Sequence, residues 1–97
     1  MKNSIEQIQS IVSTITGVSI NDIKSLSRKA NIVQARHLSM YFSRFNTQKN
    51  TLTIAKEHGR DNHATVLHAC NCIHSERKTN KRLNEMYQQI ESQIKNA

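Results

Sequence analysis

Proline is absent from all 97 residues, and glycine occurs only at Gly17 and Gly59. Breaks in periodicity must therefore come mostly from polar turn residues, and helix dominates the expected structure. Ser4 can cap a first helix in which Ile5, Ile8, Ile11, Val12 and Ile15 recur at helical spacing, and Gly17 sits where a C-terminal stop belongs. Ser19 with Asp22 three positions later suits the start of a short second helix, with Ile20 and Ile23 buried, that ends near Ser25. In SLSRKANIVQ the residues Ser27, Arg28, Lys29 and Asn31 interrupt any apolar face, which predicts a basic loop giving way to helix near Gln34.

From Ala35 to Phe45 an apolar stripe of Leu38, Tyr41, Phe42 and Phe45 is expected, with Arg36, His37 and Arg44 on other faces. Polar residues 46–50 then make a turn, and a short helix around Leu52, Ile54 and Ala55 should stop at Gly59. Helical periodicity resumes from His63 to His74 and again from Thr79 to Lys95. In the last segment Leu83, Met86, Tyr87, Ile90 and Ile94 form a stripe that either packs on the first helix or serves as a dimer surface; the first is the commoner use. The expectation is an all-α single domain over residues 1–97, with about six helices.

With 36% hydrophobic and 4% aromatic residues the core must be modest, which leaves no room for a large substrate cavity. Fourteen Lys and Arg against seven Asp and Glu give a net charge of +7, favouring polyanionic partners, although such a surface can also serve solubility alone. Cys70 and Cys72 are too close in sequence to staple distant segments, and on a helix their side chains diverge by ~200°. A reducing cytoplasm is the natural setting. No apolar run reaches ~18 residues, so neither a membrane span nor a secretory leader is expected.

TLTIAKEHGRDNHATVLHAC has the layout of a short helix, a tight glycine turn and a second helix, which is that of a helix-turn-helix. Ala55 is small enough for close helix approach, and Gly59 can take a positive φ. On the second helix Val66, Leu67 and Cys70 can face inward, leaving His63, Ala64, Thr65 and His68 outward. Imidazoles and hydroxyls can hydrogen-bond base edges or phosphates, and the methyl groups suit thymine. A plain helical hairpin with ordinary surface histidines carries the same pattern.

The stretch GRDNHATVLHAC resembles the signature GGRDHTTVLHA of the C-terminal DNA-binding domain of the bacterial replication initiator DnaA family. SRKANIVQARHLSMYFSR is similar to that family's basic loop and following helix, and IEQIQSIVSTITGVSINDIKS to its opening helix and V-x-x-DLLS step. The resemblance covers nearly the whole chain and implies the helix-turn-helix fold of that domain, akin to the Trp repressor. It further implies duplex DNA as the partner, read by the second motif helix in the major groove and a loop arginine in the minor groove.

Carried over by position, the resemblance makes Arg28 the minor-groove reader, assisted by Lys29, where a guanidinium meets the negative potential of an A·T-rich stretch. It assigns a base or phosphate contact to Arg36, next to His37, which stands in place of the usual Gln. Asn62, His63, Ala64, Thr65 and His68 fall on the recognition helix, and Arg44 on a phosphate-contacting position, with Lys56 and Arg60 as weaker phosphate candidates. Asn62 replaces an acceptor-only carboxylate by an amide that also donates, so the preferred base there can differ. The family's ATPase module has no counterpart in this sequence, which contains no Walker GxxxxGKS/T motif. A DNA-binding role in replication control or transcription regulation is thus expected, with the initiator or other replication proteins as further partners. The chain is expected to be a stand-alone monomer at the nucleoid, without membrane contact or cofactor.

His63, His68, Cys70, Cys72 and His74 are crowded enough to raise a zinc site. Against it, His63 and His68 are five apart and the two cysteines diverge, whereas a helical pair wants i,i+4 placement. Cys70 reads more simply as a small buried apolar residue. A Cys–His nucleophile lacks an obvious oxyanion pocket, so no catalytic residue is expected. The alternative to DNA binding is a helical adaptor that docks or dimerises through the C-terminal stripe.

Overall fold

The computed structural model describes residues 3–96, which form α1 (Ile5–Thr16), α2 (Ile20–Ile23), α3 (Ala30–Asn46), α4 (Thr51–Glu57), α5 (Ala64–Glu76) and α6 (Lys81–Lys95). Local chemistry sets the ends. Ser4 and Gln7 make a reciprocal capping box on α1, while Ser19, Asn50 and Asn80 each accept a backbone N–H at the start of α2, α4 and α6. Gly17 closes α1 at φ 77°.

The long third helix runs through the middle of the molecule and separates two apolar clusters. On one side Ala35, Leu38 and Phe42 meet Ile8 and Val12 of α1, Ile73 of α5, and Leu83, Tyr87 and Ile90 of α6. On the other, Met40 joins Ile54 and Ala55 of α4 with Val66, Ala69 and Cys70 of α5. The α6 stripe packs against α1 and α3, so it is core, with Met86 only partly covered.

Three expectations need correction. Helix α3 begins at Ala30, four residues earlier than the polar run suggested, because Ile32 is buried one turn before Ala35 and extends the inward face back past the charges. Phe45 is 59% exposed instead of lying in the core: Phe42 and Ser43 take the covered positions of this turn, and the Phe45 ring lies outward against Tyr41, with centroids 4.9 Å apart. Leu67 is 38% exposed, since the inward face of α5 is the i, i+3, i+4, i+7 set Val66, Ala69, Cys70 and Ile73.

His58, which periodicity did not single out, is fully buried. Its Nδ1 donates to the Ile54 carbonyl at 2.8 Å and its Nε2 accepts from the Ser39 hydroxyl at 2.6 Å, an arrangement that fits the neutral ring. Burial holds its pKa down at about 4, with cationic Lys24, Arg36 and Arg60 adding to the effect. The unfolded chain then binds the proton more readily than the folded one, so stability is full above the ordinary histidine value of 6.5 and is lost as pH falls from there towards 4. The expected loss from this group is on the order of 3 kcal/mol. Urea denaturation at pH 7.5, 6, 5 and 4 checks it, and a flat profile contradicts it.

Candidate nucleic-acid interface

Helices α4 and α5 are joined through a Schellman turn. The Gly59 N–H donates to the Lys56 carbonyl and the Arg60 N–H to the Ala55 carbonyl, with Gly59 at φ 75°. A methyl group at Gly59 would stand 2.4 Å from the Lys24 carbonyl oxygen, so the turn also lies directly against the segment following α2. Arg60 strengthens that contact: one guanidinium nitrogen donates to the Ser25 carbonyl at 3.1 Å.

The segment between α2 and α3 is held from a second side by Arg36. Contrary to its expected place on the DNA surface, Arg36 is only 4% exposed. Its Nε donates to the Ile23 carbonyl at 2.8 Å, and one terminal nitrogen donates to the carbonyls of Ser27 at 3.1 Å and Asp22 at 3.5 Å. The cradle consists of carbonyl oxygens at the end of α2 and in the loop, which suit a cation without a carboxylate. Burial, and then Arg60, push its pKa below the usual arginine value. Its role here is to position the loop.

The loop leads with exposed Arg28 and Lys29. Arg28 shares a hollow of about 280 Å³ with His37 and Glu76. His37 in turn lines a second cleft, of about 300 Å³, with Arg36, Met40, Arg60, Ala64, Thr65 and His68. The half-buried His37 ring thus borders both hollows, the one it shares with Arg28 and with Glu76 at the C-terminal end of α5, and the one it shares with the first turns of α5. That ring meets His68 edge-to-face, with centroids 5.8 Å apart and planes at 88°. Burial first, then the neighbouring His68 ring and the Arg36 and Arg60 guanidiniums, hold the His37 pKa down at about 4, so it is neutral at physiological pH.

At the start of α5, Asn62, His63 and Ala64 are exposed and Thr65 is half-buried. Asn62 is already engaged: its Oδ1 accepts the Ala64 N–H at 2.8 Å, capping the helix, which leaves its NH₂ free to donate outward. The Thr65 hydroxyl donates to the Asn62 carbonyl at 2.8 Å, so its remaining capacity is that of an acceptor and a methyl. His68 is exposed, and its Nε2 lies 3.4 Å from Cys72 Sγ, an i,i+4 pair that the spacing of His63 with His68 and of Cys70 with Cys72 does not disclose. Two turns along α3 from His37, exposed Arg44 places its guanidinium 5.2 Å from the Phe45 ring centroid. Of the weaker phosphate candidates, Lys56 is exposed, and Arg60 is half-buried with its guanidinium bonded to the loop.

Two helices joined by a left-handed glycine, the second offering polar groups from an exposed first turn, define a helix-turn-helix domain, the class of fold that docks its second helix in a DNA major groove. The model of the bacterial dnaA protein helix-turn-helix family matches residues 5–73, and the chain belongs to that family. It is 40% identical over 93 residues to the chromosomal replication initiator protein DnaA of Porphyromonas gingivalis, covering 96% of this chain and 20% of that protein. Against the Flavobacterium psychrophilum protein of the same name the identity is 33% over 91 residues, covering 94% and 19%. Against that of Streptococcus mutans it is 46% over 69 residues, covering 71% and 15%. The chain therefore spans a fifth or less of the length of these relatives. No helix of the described residues is long and apolar enough to cross a membrane.

Proposed function

We propose that this chain binds duplex DNA at a short, specific, DnaA-box-like element and acts in the control of replication initiation or of transcription. The observation that carries this reading is the position of His37, which borders both the hollow beside Arg28 and the cleft at the first turns of α5. An extended basic loop beside a protruding helix is the geometry needed to read adjacent minor and major grooves of one duplex. Family membership supports it, as does the name of the relatives, chromosomal replication initiator proteins. Within the reading, Arg28 with Lys29 enters the minor groove, His63, Ala64, Thr65 and His68 face base edges, the Asn62 amide donates to an acceptor, and Arg44 meets phosphate. Arg36 acts through the loop. The adaptor alternative loses its surface, because the C-terminal stripe packs on α1 and α3.

Selection from a randomised duplex library tests the proposal and should return one shared motif. Arg28→Ala and His63→Ala are each expected to weaken binding to that motif by about tenfold or more, while Arg44→Ala lowers affinity for all sequences and reduces the salt slope by about one. Equal weak binding to every duplex, in the wild-type chain as in the variants, would leave only a basic surface without specificity.

A further inference from the structure

Leu26 is the most exposed large apolar side chain among the described residues, at 78%. It lies in the basic loop, two positions before Arg28, and the sequence of exposed Leu26, half-buried Ser27 and exposed Arg28 is the alternation of an extended segment. Both flanking carbonyls are fastened: Ser25 accepts from Arg60 and Ser27 from Arg36, each at 3.1 Å. Those two arginines line the same cleft as Ala64, Thr65 and His68 of α5. The leucine is therefore held out from a pinned backbone, towards the side on which Arg28 stands.

We propose that Leu26 is a second DNA-contacting residue of the loop, packing its isobutyl group against the deoxyribose wall of the minor groove beside the nucleotide that receives Arg28. The inference rests on the reading of Arg28 as a minor-groove residue. A deoxyribose wall is the one extended apolar surface that a duplex offers there, and apolar side chains in minor grooves recur among proteins that also insert arginine. Pinning matters because a leucine already ordered in the free protein loses little conformational freedom on docking. The contact neutralises no phosphate, so it contributes affinity without contributing to the salt dependence.

The experiment compares wild type, Leu26→Ala and Arg28→Ala on the library-selected duplex across a salt series, with hydroxyl-radical footprinting, which reports access to minor-groove sugar hydrogens. Leu26→Ala is expected to bind about five- to tenfold more weakly with an unchanged salt slope, and to lose protection at one or two sugars while keeping the remainder of the footprint. Unchanged affinity, or a loss accompanied by a changed slope or by wholesale loss of the footprint, overturns the role of Leu26. The reading of the whole face fails separately, by the absence of any selected motif for the wild-type chain or by Arg28→Ala binding as well as wild type, and either result removes this inference with it. Because Leu26 is solvent-exposed, its variant should melt with the wild type, which a thermal denaturation run alongside confirms.

Discussion

Replacing Gly59 by alanine is expected to destabilise the domain by about 3 kcal/mol or more, while the same change at Gly17 costs about 1–2 kcal/mol. Both glycines sit in the left-handed region, at φ 75° and 77°, so both variants suffer the same backbone penalty. They differ in surroundings. A Cβ at Gly17 meets nothing within 4 Å, whereas at Gly59 it meets the Lys24 carbonyl oxygen at 2.4 Å, and backbone cannot swing aside as a side-chain tip can. Urea denaturation of the two variants in parallel isolates the steric part as their difference. Equal stabilities for the two would mean that the turn and the loop are less closely joined than the structure has them.

The second large effect is expected at Arg36. Arg36→Met keeps much of the buried aliphatic volume but strips the donors from the carbonyls of Ile23 and Ser27, for a loss of about 2–4 kcal/mol and a fall in melting temperature of roughly 10–20 °C. An arginine that only touched DNA would leave the melting temperature in place. Duplex binding should weaken as well, because the loop that carries Arg28 loses one of its two anchors. Thermal denaturation of the free protein separates these roles, and an unshifted melt would return Arg36 to the DNA surface.

Much of the fold was legible because helix chemistry is local. Ser4, Gly17, Ser19 and Gly59 mark termini through bonds to residues at most five positions away, and the isoleucine spacing of α1 and the stripe of α6 each bury a single face. Helix α3 was harder: with neighbours on several sides, it buries Arg36, Ser39 and Ser43 along with its apolar residues, so no clean stripe exists to read. The inward turn of Arg36 depended on carbonyls 9 to 14 positions away, which no local pattern announces. His58 left a fainter signal, standing one turn after Ile54 on the buried face of α4, but a histidine at that spacing is read as polar unless the Ser39 hydroxyl opposite it is known. At the candidate interface the exposed first turn of α5 followed from the motif, whereas the capping duty of Asn62 and the bridging place of His37 required coordinates.

The fastening of the loop between α2 and α3 to the turn before α5, through Gly59, Arg60 and Arg36, makes the protein a gauge of fixed span. A reader on a floppy tether could tolerate an extra base pair between the two halves of its target by stretching. Under the proposed binding mode the span between the loop and the start of α5 is set by these contacts, so one inserted base pair, which moves the halves of the target about 3.4 Å apart and also rotates them about the helix axis, is expected to leave one of them unread. Under that mode, spacing within the target is expected to be recognised as strictly as the bases themselves.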